Sequence, residues 1–224
     1  MEFSLLWAAL TAFATAWLGL RIWDERLPTR PMDHLVTSAV AGLVVGRLAA
    51  MIGAGINPLT HLGDFIIVRG GVATAGASTA FIAALLWSTR KTPSAVDALA
   101  PAVLAGLSGW HAGCVWRGTC LGTPSDLPWA WAQTGSVVTR HPVELYVALG
   151  LAVGAFVVSR VGWRPWARAG TALAVAAGIR LLAEPLRPSL GGGPVPWYVA
   201  GLVVGVLAVL TGSRVSVQRT ADST

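Results

Sequence analysis

Seven runs of mostly apolar residues, each about 17 to 22 long, fill most of this chain and limit what it can fold into. They are Phe3–Leu20, Leu35–Ile56, Gly70–Trp87, Ala98–Trp116, Pro142–Ser159, Trp166–Leu182 and Val195–Gly212. About 20 such residues carry a helix across the hydrocarbon core of a bilayer, where every backbone polar group must be satisfied within the helix. Only 12% of the 224 residues are charged, against 54% hydrophobic, whereas an average globular protein has roughly 25% charged. So few charges exclude disorder and cannot cover the surface of a soluble body of this size. Glu2 stands where a signal peptide carries basic residues and no small-residue cleavage site follows, so the first run reads as a span. The expected fold is an all-α polytopic membrane protein with seven transmembrane helices. A single membrane domain is expected over residues 1–213, with a short cytoplasmic tail at 214–224.

The basic residues orient these spans. Arg21, Arg26, Arg30, Arg90, Lys91, Arg160, Arg164, Arg168, Arg214 and Arg219 fall in alternate loops and the C-terminal segment. Basic residues accumulate on the cytoplasmic side, which predicts the N-terminus outside and the C-terminus inside. Sixteen basic residues against ten acidic ones give a net charge of +6. Their dispersal between apolar runs argues against a nucleic-acid partner, which needs a clustered basic face. Three small-xxx-small pairs, Gly42/Gly46, Gly150/Gly154 and Gly201/Gly205, either mark close helix contacts or reflect the general frequency of glycine in spans.

Arg47, Arg69, Arg117, Arg140, Arg180 and Arg187 depart from that orientation bias, lying inside spans or on the outer side. An arginine at the bilayer centre costs at least about 2.5 kcal/mol, so an intramembrane cation points to a function or to a tied partner. Glu184 follows Arg180 by four residues, which predicts an ion pair one helical turn apart, and Arg187 extends the stripe. Two guanidiniums around one carboxylate leave net positive charge, and their planar fork suits phosphate. Polar residues are densest from Gly109 to Tyr146, a stretch holding His111, His141 and both cysteines. Cys114 and Cys120 have no zinc-type spacing and could form one bridge on an oxidising outer face. Neither a metal nor a cofactor is expected.

That stretch resembles the bacterial prolipoprotein diacylglyceryl transferases. Gly122-Thr-Pro-Ser-Asp-Leu-Pro-Trp129 is similar to the central element of their signature. Arg140-His-Pro-Val-Glu-Leu-Tyr146 is similar to the last element, with Glu144 for the usual glutamine and Val147 for the usual glutamate. Val45-Gly46-Arg47-Leu48, Arg69-Gly70-Gly71 and Arg180…Glu184…Arg187 with Pro188 follow in family order. The resemblance implies an enzyme of lipoprotein biosynthesis in the bacterial inner membrane, its active side facing outward. Its partners would be phosphatidylglycerol, or another anionic phospholipid, and the signal peptides of secreted prolipoproteins. The diacylglyceryl group would pass to a lipobox cysteine thiol while glycerol phosphate leaves.

The same resemblance implies site residues. His111, Arg180 and Glu184 are expected to be catalytic, and Arg47, Arg69, Arg117, Arg140, Arg187 and His141 to bind the lipid head group. Ala75 stands where the family carries a histidine, His111 where it carries an arginine, Cys114 where it carries an asparagine, Thr119 where it carries a glutamate and Ala176 where it carries a tyrosine. A paralogue acting on or binding another lipid, and a lipid-binding scaffold without turnover, are the alternative readings.

Overall fold

The computed structural model describes residues 4–23, 26–60, 71–132, 135–187 and 193–221, with side chains placed between residues 6 and 212 of these. The helices are α1 (Ser4–Ile22), α2 (Pro31–Gly53), α3 (Thr74–Ser88), α4 (Ser94–Ala112), α5 (Cys114–Arg117), α6 (Val143–Arg160), α7 (Ala167–Ala183) and α8 (Val195–Ala221). Among the described residues each predicted run is largely helical. Five segments are long and apolar enough to cross a membrane: Pro31–Gly53, Ser94–Arg117, Val143–Arg160, Ala167–Leu186 and Val195–Gly212. Leu6–Ile22 and Thr74–Ser88 are apolar but shorter. The protein is therefore a mostly helical, polytopic membrane protein. The all-helical expectation needs one amendment: β1 (Trp131–Ala132) and β2 (Thr139–Arg140) form a small antiparallel hairpin.

The described residues divide into two compact units, Pro28–Val96 and the remainder of the chain. In the first, Pro31 opens α2 from a position that needs no N–H donor. Gly42 and Gly46 of α2 face Ala77 of α3, and the Ala73 amide donates to the Gly46 carbonyl at 2.9 Å. Arg47 is buried here, its Nη1 donating to the Gly71 carbonyl at 3.0 Å. Ala75 is exposed in the first turn of α3. Arg69 lies outside the described residues.

The larger unit is built on α6, which packs Val143, Val147, Leu151, Ala155 and Val158 against Ala100 and Leu104 of α4 and Ala172 of α7. The other two glycine pairs also lie at helix contacts, so the packing reading holds for all three. Gly154 faces Val175, and a Cβ on Gly205 would lie 2.6 Å from the Ala174 amide nitrogen, so α7 and α8 approach at backbone distance. Buried Asp97 of α4 accepts hydrogen bonds from the Trp166 and Ala169 amides at 2.8 and 2.9 Å. It caps α7, whose own N-cap, Trp166, supplies no side-chain acceptor. Arg168 donates to the Ser159 and Val161 carbonyls, closing the end of α6. Asp97 and Arg168 thus tie helix ends together.

Candidate functional site

Two breaks in helical geometry shape the site. The predicted span Ala98–Trp116 is interrupted, because α4 ends at Ala112 and the short α5 begins beyond Gly113. A disulfide joins Cys114 to Cys120 across α5, with Cα atoms 4.9 Å apart. The chain returns through Gly118 in the left-handed region, at φ 65°. At the other break Pro185 has no N–H to donate, so α7 tightens into a 3-10 turn over Glu184–Leu186.

These segments interlock through backbone hydrogen bonds. The Gly122 amide donates to the His141 carbonyl at 2.8 Å, the His141 amide to Thr123 at 3.0 Å and the Thr123 amide to Leu186 at 2.8 Å. Gly122 is required at this crossing, since a Cβ would overlap the Leu186 carbonyl and the Val143 side chain. Arg140 donates to the Gly122 carbonyl at 3.1 Å, and Trp129 donates to the Tyr146 hydroxyl at 2.8 Å. All the motif segments from Gly109 to Tyr146, together with the end of α7, therefore meet at the start of α6.

At that junction stands Glu144, in the first turn of α6 and almost wholly buried. Its Oε2 lies 2.5 Å from His111 Nδ1 of α4. Its Oε1 lies 2.9 Å from Arg187 Nη2 and 3.5 Å from Arg180 Nη1. The ion pair expected between Arg180 and Glu184 is not formed. Arg180 instead turns to α8, where its Nε and Nη2 donate to the Tyr198 hydroxyl at 3.2 and 3.0 Å. Its Nη1 is buried without a hydrogen bond. Glu184 closes α7 in helical conformation, but the Arg180 side chain is committed to Tyr198 and Glu144, and among the described residues the cation within 4 Å of Glu184 is Arg187, its Nη1 at 3.9 Å.

The structure thus gathers His111, Arg180, Glu184 and Arg187 around Glu144. Of the other expected residues, Arg117 donates to the Trp110 carbonyl and stacks on its ring, Arg140 holds Gly122, and His141 sits edge-on to Tyr146. Arg47 belongs to the smaller unit. Glu144 and Tyr198 were not among the expected site residues. A carboxylate in the first turn of an apolar span was the available signal for Glu144, because such a group needs cations gathered on it. For Tyr198 the signal was weaker: it is one of two tyrosines in the chain and sits at a span end.

Chemically, His111 Nδ1 bound to a carboxylate leaves Nε2 as the imidazole nitrogen that can accept a proton. Beside it are two guanidiniums, the largely buried Arg180 with an unspent donor and the one-third exposed Arg187. Such a centre can take a proton and stabilise an anionic phosphate in one place. Among the described residues no three metal-ligating side chains gather. The fold defines a polytopic membrane protein, and in this centre the guanidiniums of Arg180 and Arg187 are balanced by the carboxylates of Glu144 and Glu184.

The sequence model of the prolipoprotein diacylglyceryl transferase family matches residues 3–220, and the chain belongs to that transferase family of lipoprotein biosynthesis. It is similar to the phosphatidylglycerol–prolipoprotein diacylglyceryl transferase of Bordetella avium (strain 197N), at 30% identity over 92% of this chain and 89% of that protein. It is also similar to the enzymes of that name from two Polynucleobacter species. With Polynucleobacter necessarius subsp. necessarius (strain STIR1) it shares 34% identity over 53% of this chain and 48% of that protein, so the match spans about half of that relative's length. With Polynucleobacter asymbioticus it shares 32% identity over 63% of this chain and 60% of the relative.

Proposed function

We propose that this protein transfers the diacylglyceryl group of phosphatidylglycerol to the cysteine thiol in the signal peptide of a secreted prolipoprotein. The observation that carries the reading is the contact of His111 with Glu144 beside Arg180 and Arg187. In this mechanism Nε2 of His111 accepts the thiol proton, and the sulfur attacks the diacylglycerol carbon bonded to the phosphate oxygen. A C–S bond forms and the C–O bond breaks. Glycerol phosphate leaves with the electron pair, its developing charge met by Arg180 and Arg187. Glu144 holds the imidazole by Nδ1 and favours the imidazolium once the proton has arrived.

The topology that fits this reading is seven spans in one membrane domain of the bacterial inner membrane. The N-terminus is outside and the C-terminal tail cytoplasmic, because phosphatidylglycerol and the emerging precursor meet at the outer face. Arg117, Arg140 and His141 shape the loop around that face, and the two guanidiniums add positive charge to it. A second reading, lipid binding without turnover, is favoured by Ala75 standing in place of the family's histidine.

Rescue separates the two. Expression in a bacterium depleted of its own transferase should restore growth and lipoprotein modification, and His111→Ala, present at equal level in the membrane, should not. Failure of the wild-type chain to rescue while well expressed would favour the binding reading.

A further inference from the structure

One exposed surface outside the site is poorly suited to water. No charged residue falls between Asp126 and Arg140, the segment that holds the hairpin of β1 and β2. Within it Leu127, Trp129, Trp131 and Val138 are 40–54% exposed, and Val137 is 99% exposed. A hairpin that faces water ordinarily blunts its edges with charges, and an apolar patch left open marks a contact. The patch is also held in place. The Ser125 amide donates to the Thr139 carbonyl at 3.0 Å, and the Thr139 hydroxyl donates to the Ser125 carbonyl at 2.6 Å.

The neighbouring elements indicate what covers it. Trp129 donates to Tyr146 in the first turn of α6, and Trp131 pairs with Arg140 shortly before α6 begins at Val143. Since α6 is long and apolar enough to cross the membrane, both indoles stand where that span meets its boundary. His111 near the end of α4 contacts Glu144 near the start of α6, so the ends of these two spans lie at one level. Trp116, just beyond α4, is also exposed, its ring 6.1 Å from that of Trp7 in α1. Tryptophan collects at the boundary between hydrocarbon and water, where its apolar rings and its N–H meet different surroundings. The hairpin offers no charge to orient a protein partner, whereas a bilayer surface needs none.

We propose that this hairpin is a bilayer anchor, with Trp129, Trp131, Val137 and Val138 seated in the interfacial layer of the leaflet in which α6 begins. Lipid contact then continues from the apolar sides of the spans onto a segment outside them. The hairpin carries Arg140, which holds Gly122, so anchoring it fixes the loop around the site at the level of the lipid head groups. This inference rests on the spans and requires no turnover.

The test places a nitroxide on the purified full-length protein through Val137→Cys, in vesicles of phosphatidylcholine and phosphatidylglycerol. Cys114 and Cys120 are buried and bridged, so the label reaches position 137 alone. Collisions of the nitroxide with oxygen, which enriches in hydrocarbon, are compared with its collisions with a water-soluble nickel chelate. Leu149→Cys, exposed within α6, and Lys91→Cys, exposed beyond α3, serve as the lipid and water references. The ratio of oxygen to nickel collisions at position 137 should be several-fold above the Lys91→Cys value and below the Leu149→Cys value. A ratio equal to that of Lys91→Cys overturns the proposal. Shielding of the label from both reagents also overturns it, because a protein surface, from a second copy or a precursor, would then cover the hairpin. Val137 packs against so little that its replacement leaves the fold intact.

Discussion

Replacing Glu144 with glutamine removes a charge from the centre of the site while keeping its volume and one acceptor oxygen. The contact to His111 is 2.5 Å with both side chains largely buried, the Arg187 contact is 2.9 Å with that arginine one-third exposed, and Arg180 stands at 3.5 Å. A buried hydrogen bond to a charged group contributes about 1.5–3 kcal/mol, and the solvent-screened Arg187 pair about 1 kcal/mol or less. Glutamine recovers roughly 1 kcal/mol through a neutral hydrogen bond, so Glu144→Gln should lose about 0.5–3 kcal/mol of interaction at the site. Where that loss falls on the imidazolium formed during proton transfer, it lowers the rate about 2- to 150-fold. Single-turnover transfer of labelled diacylglycerol to a lipobox peptide reads the rate, and phosphatidylglycerol binding on the same preparation reads the site. We expect the rate to fall while binding stays within a few-fold, because the arginines keep their charge and lose a competing anion. A wild-type rate for Glu144→Gln would refute the coupling of Glu144 to His111.

Arg180→Ala should abolish phosphatidylglycerol binding and transfer, and Arg180→Lys should restore only part, since an ammonium does not reproduce the fork that spans Tyr198 and Glu144; lipid retention by the purified variants checks this. Cys120→Ser opens the disulfide and should cost about 2 kcal/mol by loop closure for so short a loop. A lower melting temperature, with more transfer retained than in His111→Ala, is the expected pattern. A reporter inserted beside Val137, which is fully exposed, should behave as external and one fused after Thr224 as cytoplasmic; the opposite pattern would contradict the charge-based orientation.

The helices were legible because each run of apolar residues is long and its charges are sparse, so burial in lipid dictates the backbone whatever the partners. Local breakers set the details that span length could not. Gly113 splits the fourth run, and Pro185 converts the last turn of α7 into 3-10 geometry. The expected Arg180–Glu184 pair failed for another reason: helical spacing permits it, but Arg180 is drawn to Tyr198 and Glu144 on other helices. The site itself was half legible. An arginine in an apolar run signals a partner without saying on which helix, and the partners of Arg180, Glu144 and Tyr198, lie on α6 and α8. Glu144 was visible as a departure from the family motif, but its link to His111 spans 33 positions and follows from helix packing. The Asp97 cap on α7 crosses still more of the chain, between Asp97 and Ala169, and has no local signature.

The central claim is that His111, set by Glu144 beside two arginines, takes the proton of an incoming thiol. The direct measurement is transfer of labelled diacylglycerol from phosphatidylglycerol to a lipobox peptide by the purified wild-type protein, His111→Ala and Ala75→His in the same membranes. The account predicts transfer by the wild type, its loss in His111→Ala with phosphatidylglycerol still bound, and no requirement for a histidine at position 75. Transfer that persists in His111→Ala, or that arises only in Ala75→His, would contradict it.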